Sequence, residues 1–317
     1  MRPSGTRLNG CLRRARPSKI FAAKISMDFA DLGADGEFDE RKKGGAAPLL
    51  GGVMRTDCIQ DDIREGDGIP QLLVLMRGGT KEEKEEAAGA LANLASDCSR
   101  NKDKIRVAGG IVLIVSMLGD GTDGQKQQAA HALSNLACGS NHIGDAIREV
   151  GGIIPLVKLV HGGTDAQKEW AAKALGSLAM CNELNQEAIR EGCGIPPLVE
   201  LSKHGTGRQK EESAKALADL ANDNVRNQDA IHEAGGIAPL VALVCGGTDG
   251  QKEEAARALG QLADGNQLNQ GTIREAGGIP LLLELVKNGT DWQKEEAAYA
   301  LASLANDDDG NGDLGLS

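Results

Sequence analysis

Small and aliphatic residues recur along this chain at helical spacing, as Ala256, Leu259, Leu262 and Ala263 do, with charged and amide side chains between them. One apolar stripe on an otherwise polar helix predicts a core on one side and water on the other. The pattern also repeats: Ile63, Ile105, Ile147, Ile189, Ile231 and Ile273 stand at a constant interval of 42 residues. Each copy rewrites one phrase, clearest over 273–306, so six units cover 63–306 with starts at 63, 105, 147, 189, 231 and 273.

Three helices are predicted per unit. A glycine at Gly68, Gly110, Gly152, Gly194, Gly236 and Gly278 ends a short first helix, where positive φ without a Cβ clash suits a sharp turn. Pro70, Pro155, Pro196, Pro239 and Pro280 then fall in the first turn of a second helix, whose leading N–H groups have no intrahelical partner. Gly-Thr opens the third helix in every copy, from Gly79-Thr80 to Gly289-Thr290. Three residues on stands Glu83, Gln125, Gln167, Gln209, Gln251 or Gln293, completing a reciprocal capping box. Lys84 and its counterparts follow directly, with stems long enough to cover apolar surface.

A unit this small cannot bury its stripe alone, so the copies must stack through nearest-neighbour interfaces. The expectation is an all-α, right-handed α-solenoid. With its GGI-x-P-L and Q-K-E-E-A-A-x-A-L-x-x-L-A wording, the unit resembles the armadillo repeat family, whose members include importin-α, β-catenin and vacuolar armadillo-type solenoids. Outside the repeats, 1–36 reads as a basic then acidic arm, 37–62 as a degenerate N-terminal cap interrupted by Pro48 and Gly52, and 307–317 as an acidic, glycine-rich tail.

The resemblance implies a concave groove lined by the third helices and occupied by an extended peptide. The family's tryptophan column falls on Gly89, His131, Lys173, Lys215, Arg257 and Tyr299, and its asparagine column on Asn93, Asn135, Ser177, Asp219, Gln261 and Ser303. No tryptophan stands in the first column, so the ring sandwich that importin-α uses for basic side chains is missing. Three successive cations, Lys173, Lys215 and Arg257, suit an acidic or phosphorylated segment. Alternatively, Glu169, Glu211 and Glu253, four residues N-terminal to them, neutralise them within each helix. Trp170 replaces a Glu or Gln of the other copies and is either a binding anchor or a packing residue. Trp292 reads as a local packing residue of its capping turn.

Composition narrows the function classes. The chain has 317 residues, a net charge of -11 and 2% aromatics, which disfavours nucleic acid as a partner and an aromatic-lined enzyme pocket. Seven scattered cysteines without a C-x-x-C pair point to a reducing, intracellular setting, cytoplasmic with the nucleus open. No apolar run is long enough to span a membrane. Residues 1–26 carry seven basic residues and no acid, which leaves open an organelle transit peptide, a basic arm, or a true start at Met27.

Other chemistry is weak. Gly119, Gly121 and Gly124 match a dinucleotide fingerprint but lie in a helix-connecting turn. The histidines lack metal-ligand spacing, and Asp307, Asp309 and Asn311 copy only the first half of an EF-hand loop. No cofactor, metal or catalytic residue is assigned. The expected function is a non-enzymatic scaffold or adaptor for a partner protein; an importin-α-like transport adaptor and a substrate-recognition subunit of a ubiquitin ligase assembly remain as alternatives.

Overall fold

The computed structural model describes residues 68–96 and 98–306, all within the compact unit Leu49–Ser317. The basic arm with Met27, the degenerate cap, the start of the first unit and the acidic tail lie outside the described residues.

Among the described residues there are seventeen α-helices and no strand. In chain order they are α1 (Gly68–Gly78), α2 (Lys81–Ala95), α3 (Ser99–Val107), α4 (Gly110–Asp120), α5 (Asp123–Ala137), α6 (Asn141–Glu149), α7 (Ile153–Gly162), α8 (Asp165–Ala179), α9 (Glu183–Glu191), α10 (Ile195–His204), α11 (Gly207–Ala221), α12 (Val225–Glu233), α13 (Ile237–Gly246), α14 (Asp249–Ala263), α15 (Gln267–Glu275), α16 (Gly278–Asn288) and α17 (Asp291–Ala305). The third helices of the six units are therefore α2, α5, α8, α11, α14 and α17. None of the helices is long and apolar enough on its own to cross a membrane.

Every third helix starts where the capping wording places it. In α8, Gln167 N–H donates to Thr164 Oγ1 at 3.4 Å and Thr164 N–H to Gln167 Oε1 at 3.0 Å, and the same reciprocal box caps the other five. The glutamine does more than the pattern foretells. Its Nε2 also donates to the preceding third helix: Gln125 to the Lys81 carbonyl at 2.7 Å, Gln167 to Asp123 at 2.8 Å, Gln209 to Asp165 at 2.9 Å, Gln251 to Gly207 at 2.7 Å and Gln293 to Asp249 at 3.0 Å. Glu83, in the first unit, has no such amide to donate.

First helices carry a second set of buried amides. Asn185, Asn227 and Asn269 donate to the Leu178, Leu220 and Leu262 carbonyls at 2.9–3.0 Å, satisfying the C-terminus of the helix just before. The adjacent glutamines reach one repeat further: Gln186 donates to the Asp219 and Asn222 carbonyls, and Gln228 to those of Gln261 and Asp264. Buried polar atoms are thus matched to carbonyls that would otherwise lose water without replacement.

The turn glycines act differently from expectation. Positive φ falls one residue earlier, at Gly109 (77°), Gly151 (78°), Cys193 (56°), Gly235 (73°) and Gly277 (77°). Gly152, Gly194 and Gly236 have ordinary φ near -71° to -77°. What forbids a side chain there is space, since a Cβ on Gly152 would lie 2.7 Å from Ile147 Cγ2 and 3.1 Å from Val115 Cγ2.

Small residues let the third helices approach closely. A Cβ on Gly176 would lie 3.2 Å from the Ala216 Cα of the next unit. Third helices pack on their counterparts far more tightly than second helices do, so the stack is shorter on that side. That side is the inner, concave one.

Candidate functional site

Each third helix turns its apolar stripe into the core and leaves a second, polar stripe facing the groove. In α14 the half-buried residues of that stripe are Gly250, Glu253, Glu254, Arg257 and Gln261, spaced i, i+3, i+4, i+7 and i+11. The first predicted column occupies the ninth position of the helix, and the second the thirteenth. Both lie on this face, over the seams between adjacent repeats.

The register of the stack decides who meets whom. A ninth-position side chain touches the sixth position of the following repeat and the thirteenth of the preceding one. Lys173 thus meets Glu212 at 4.0 Å and Lys215 meets Glu254 at 3.5 Å. Arg257 bonds Asp219 of the preceding repeat and, at 3.3 Å, Glu254 of its own helix. The three cations are therefore neutralised across repeats, and not by Glu169, Glu211 and Glu253 within each helix as the sequence suggests.

Electrostatics follow from that crowding. Burial pushes the Asp219 carboxyl above its usual range, against the pull of Arg257. Burial likewise raises Glu212, with Lys173 and Lys215 opposing. Burial disfavours the charge on Lys215 and Arg257, yet the surrounding carboxylates outweigh it and hold both above their ordinary values. Glu212 Oε2 is buried without a hydrogen-bond partner.

The N-terminal half of the groove is of another kind. His131 stacks on Trp170 with ring centroids 3.8 Å apart and planes 26° apart, and the Lys173 ammonium sits 5.2 Å from the Trp170 ring. Asn135 Nδ2 donates to the Ala92 carbonyl at 2.9 Å and lies 3.2 Å from His131 Nε2. Trp170 is half-buried against the core, held between His131 and Lys173.

The remaining predicted positions divide by exposure. Asn93, Ser177 and Gln261 are half-buried on the groove face, and Tyr299 is exposed with its hydroxyl 3.4 Å from Gln261 Oε1. Asp219 and Ser303 are buried, 2% and 3% exposed, so neither offers its side chain to a ligand. Trp292 is 65% exposed on the first turn of α17, which corrects its reading as a packing residue. Sequence reasoning missed Glu212 and Glu254 as partners of the cations; the signal lay in residues one repeat less one helical turn apart.

On this face adjacent glutamates recur at Glu85-Glu86, Glu211-Glu212, Glu253-Glu254 and Glu295-Glu296, against at most two cations in any one repeat. Among the described residues no group of three or more His, Cys, Asp or Glu side chains is placed to hold a metal ion.

No family model and no curated protein matches the chain. Among solved structures, an engineered protein is 31% identical with a TM-score of 0.72, the match covering 75% of this chain and 96% of that one. A designed armadillo repeat protein in complex with the peptide (KR)4 is 26% identical with a TM-score of 0.68, covering 74% of this chain and 99% of that one. Computationally designed armadillo repeat proteins for modular peptide recognition match with the same identity, TM-score and coverage.

Proposed function

This chain is an armadillo-like repeat solenoid, and from that premise we propose that it is a non-enzymatic adaptor that holds an extended segment of a partner protein along its third-helix groove. The observation that carries this reading is the continuous polar stripe, repeated at one register through six units and left uncovered by the rest of the described chain. A peptide laid across such a face can bond side-chain amides and carboxylates with its own backbone and side chains.

The sign of the partner changes from the expectation of an acidic or phosphorylated segment. Lys173, Lys215 and Arg257 already have carboxylate partners, so an incoming phosphate would first have to displace them. Paired glutamates dominate the same face, and a segment bearing Lys or Arg complements them. The neighbour bound to (KR)4 supports the same sign. Recognition here rests on carboxylates, since the face lacks a tryptophan column.

Fluorescence polarisation of labelled octapeptides against the full chain tests this. An alternating Lys-Arg peptide binds, weakens as salt rises, and weakens about tenfold on Glu253→Gln plus Glu296→Gln, the change expected for roughly 1.4 kcal/mol. Tighter binding of a phosphoserine-Glu peptide would reverse the sign. Binding of neither would remove the groove as the site.

A further inference from the structure

The stack of described repeats stops at α17, yet its outer face keeps the pattern of an internal seam. Leu283 is 45% exposed where its counterpart one repeat earlier, Val241, is 7% exposed. Ala298 and Ala305 are exposed where Ala256 and Ala263 are fully buried. A terminal repeat ordinarily carries a polar outer face, because nothing stacks on it. This one has kept its apolar residues.

A hydrogen-bond acceptor accompanies them. Asp123, Asp165 and Asp249, each the first residue of its third helix, accept the next repeat's glutamine on the backbone carbonyl and again on Oδ1 at 3.1–3.2 Å. Asp291 holds the same place in α17, and no described residue donates to it.

We propose that the outer face of α16 and α17 is a docking site for a further repeat of this kind carried by a partner polypeptide, its third helix alongside α17 and its capping glutamine donating to Asp291. Continuity with the five seams inside the chain specifies this occupant, since each combines small apolar residues with that amide clip. A second copy docking head to tail fits poorly. It would bring Glu83, which has no donor, against the Asp291 carboxylate. The chain beyond Asn306 contains no glutamine and several aspartates, so it cannot supply the clip either.

The test has two arms on the full chain. In the first, residues 265–306 are duplicated in register behind Asn306, with Gln or Glu at the capping position of the added copy. The Gln version melts higher than the parent, and the Glu version loses much of that gain; equal melting of all three overturns the proposal. In the second arm, a labelled synthetic peptide of residues 265–306 is titrated with the parent chain. It binds saturably, and at least tenfold more weakly to Leu283→Glu. No binding, or equal binding to both, overturns docking in trans. A dimer of the parent alone in sedimentation velocity that Leu283→Glu dissolves would assign the face to a second copy instead.

Discussion

The two halves of the groove stand on identical helical scaffolding and differ in chemistry. In repeats two and three the seam is filled by rings and an amide, His131, Trp170 and Asn135, each meeting a neutral partner. In repeats four and five it is filled by charges, with Lys215, Glu254, Arg257 and Asp219 in one connected network. The ninth and thirteenth positions lie above the core and do not form it, so a repeat can exchange rings for ions there without altering its stripe. The cost of disturbing the two halves is unequal, because stranding a buried charge is far worse than stranding an amide.

The sharpest way to break the comparison is to remove one partner from each half. Arg257→Ala leaves the Asp219 carboxylate buried and unpaired and should destabilise the array by about 3 kcal/mol in urea unfolding. Asn135→Ala should cost about 1 kcal/mol. Adding Asp219→Asn to Arg257→Ala should restore much of the loss. Equal losses from the two single variants would mean that the ion network is no more critical than the amide.

A smaller effect comes from pH. Burial raises Asp219, Glu212, Glu253 and Glu296 in the charged half, while Glu86 is the one such carboxyl in repeats one to three. A raised folded-state value means that the folded chain binds protons more tightly than the unfolded one through that range. Stability therefore falls as pH rises through the carboxylate range and recovers as pH is lowered towards it. The urea midpoint should be higher at pH 5 than at pH 8, and Asp219→Asn plus Arg257→Gln should flatten the difference.

The smallest effect is optical. His131→Ala uncovers one face of Trp170, so emission should shift to the red, with a loss of about 1 kcal/mol for the stacked pair. Trp292, already exposed, should be measured separately by carrying the experiment out in Trp292→Phe.

Most of the fold could be read from the chain because the same constraint is written six times. The Gly-Thr and glutamine wording placed every third helix, and the apolar stripe named its buried face. The seams were less legible. Helical spacing within one repeat offered Glu169 and Glu211 as partners for Lys173 and Lys215, whereas the fold supplies Glu212 and Glu254 from the next repeat. Contacts between repeats depend on the superhelical register, which the period alone does not contain. The glycines of the first turn were misjudged similarly: a close approach to Ile147 or Ile189 leaves the same mark in a sequence as a positive φ.

The capping glutamine bears on how such a gene can change. Because each internal unit brings its own amide and offers its own acceptor, unequal crossing-over by a whole unit would join two sequences whose seam is already complete. Array length can thus drift by duplication or deletion without a new interface having to arise. The unit opened by Glu83 is the exception, since moved inward it would face its neighbour without a donor, and a single codon change to glutamine would be needed to recruit it.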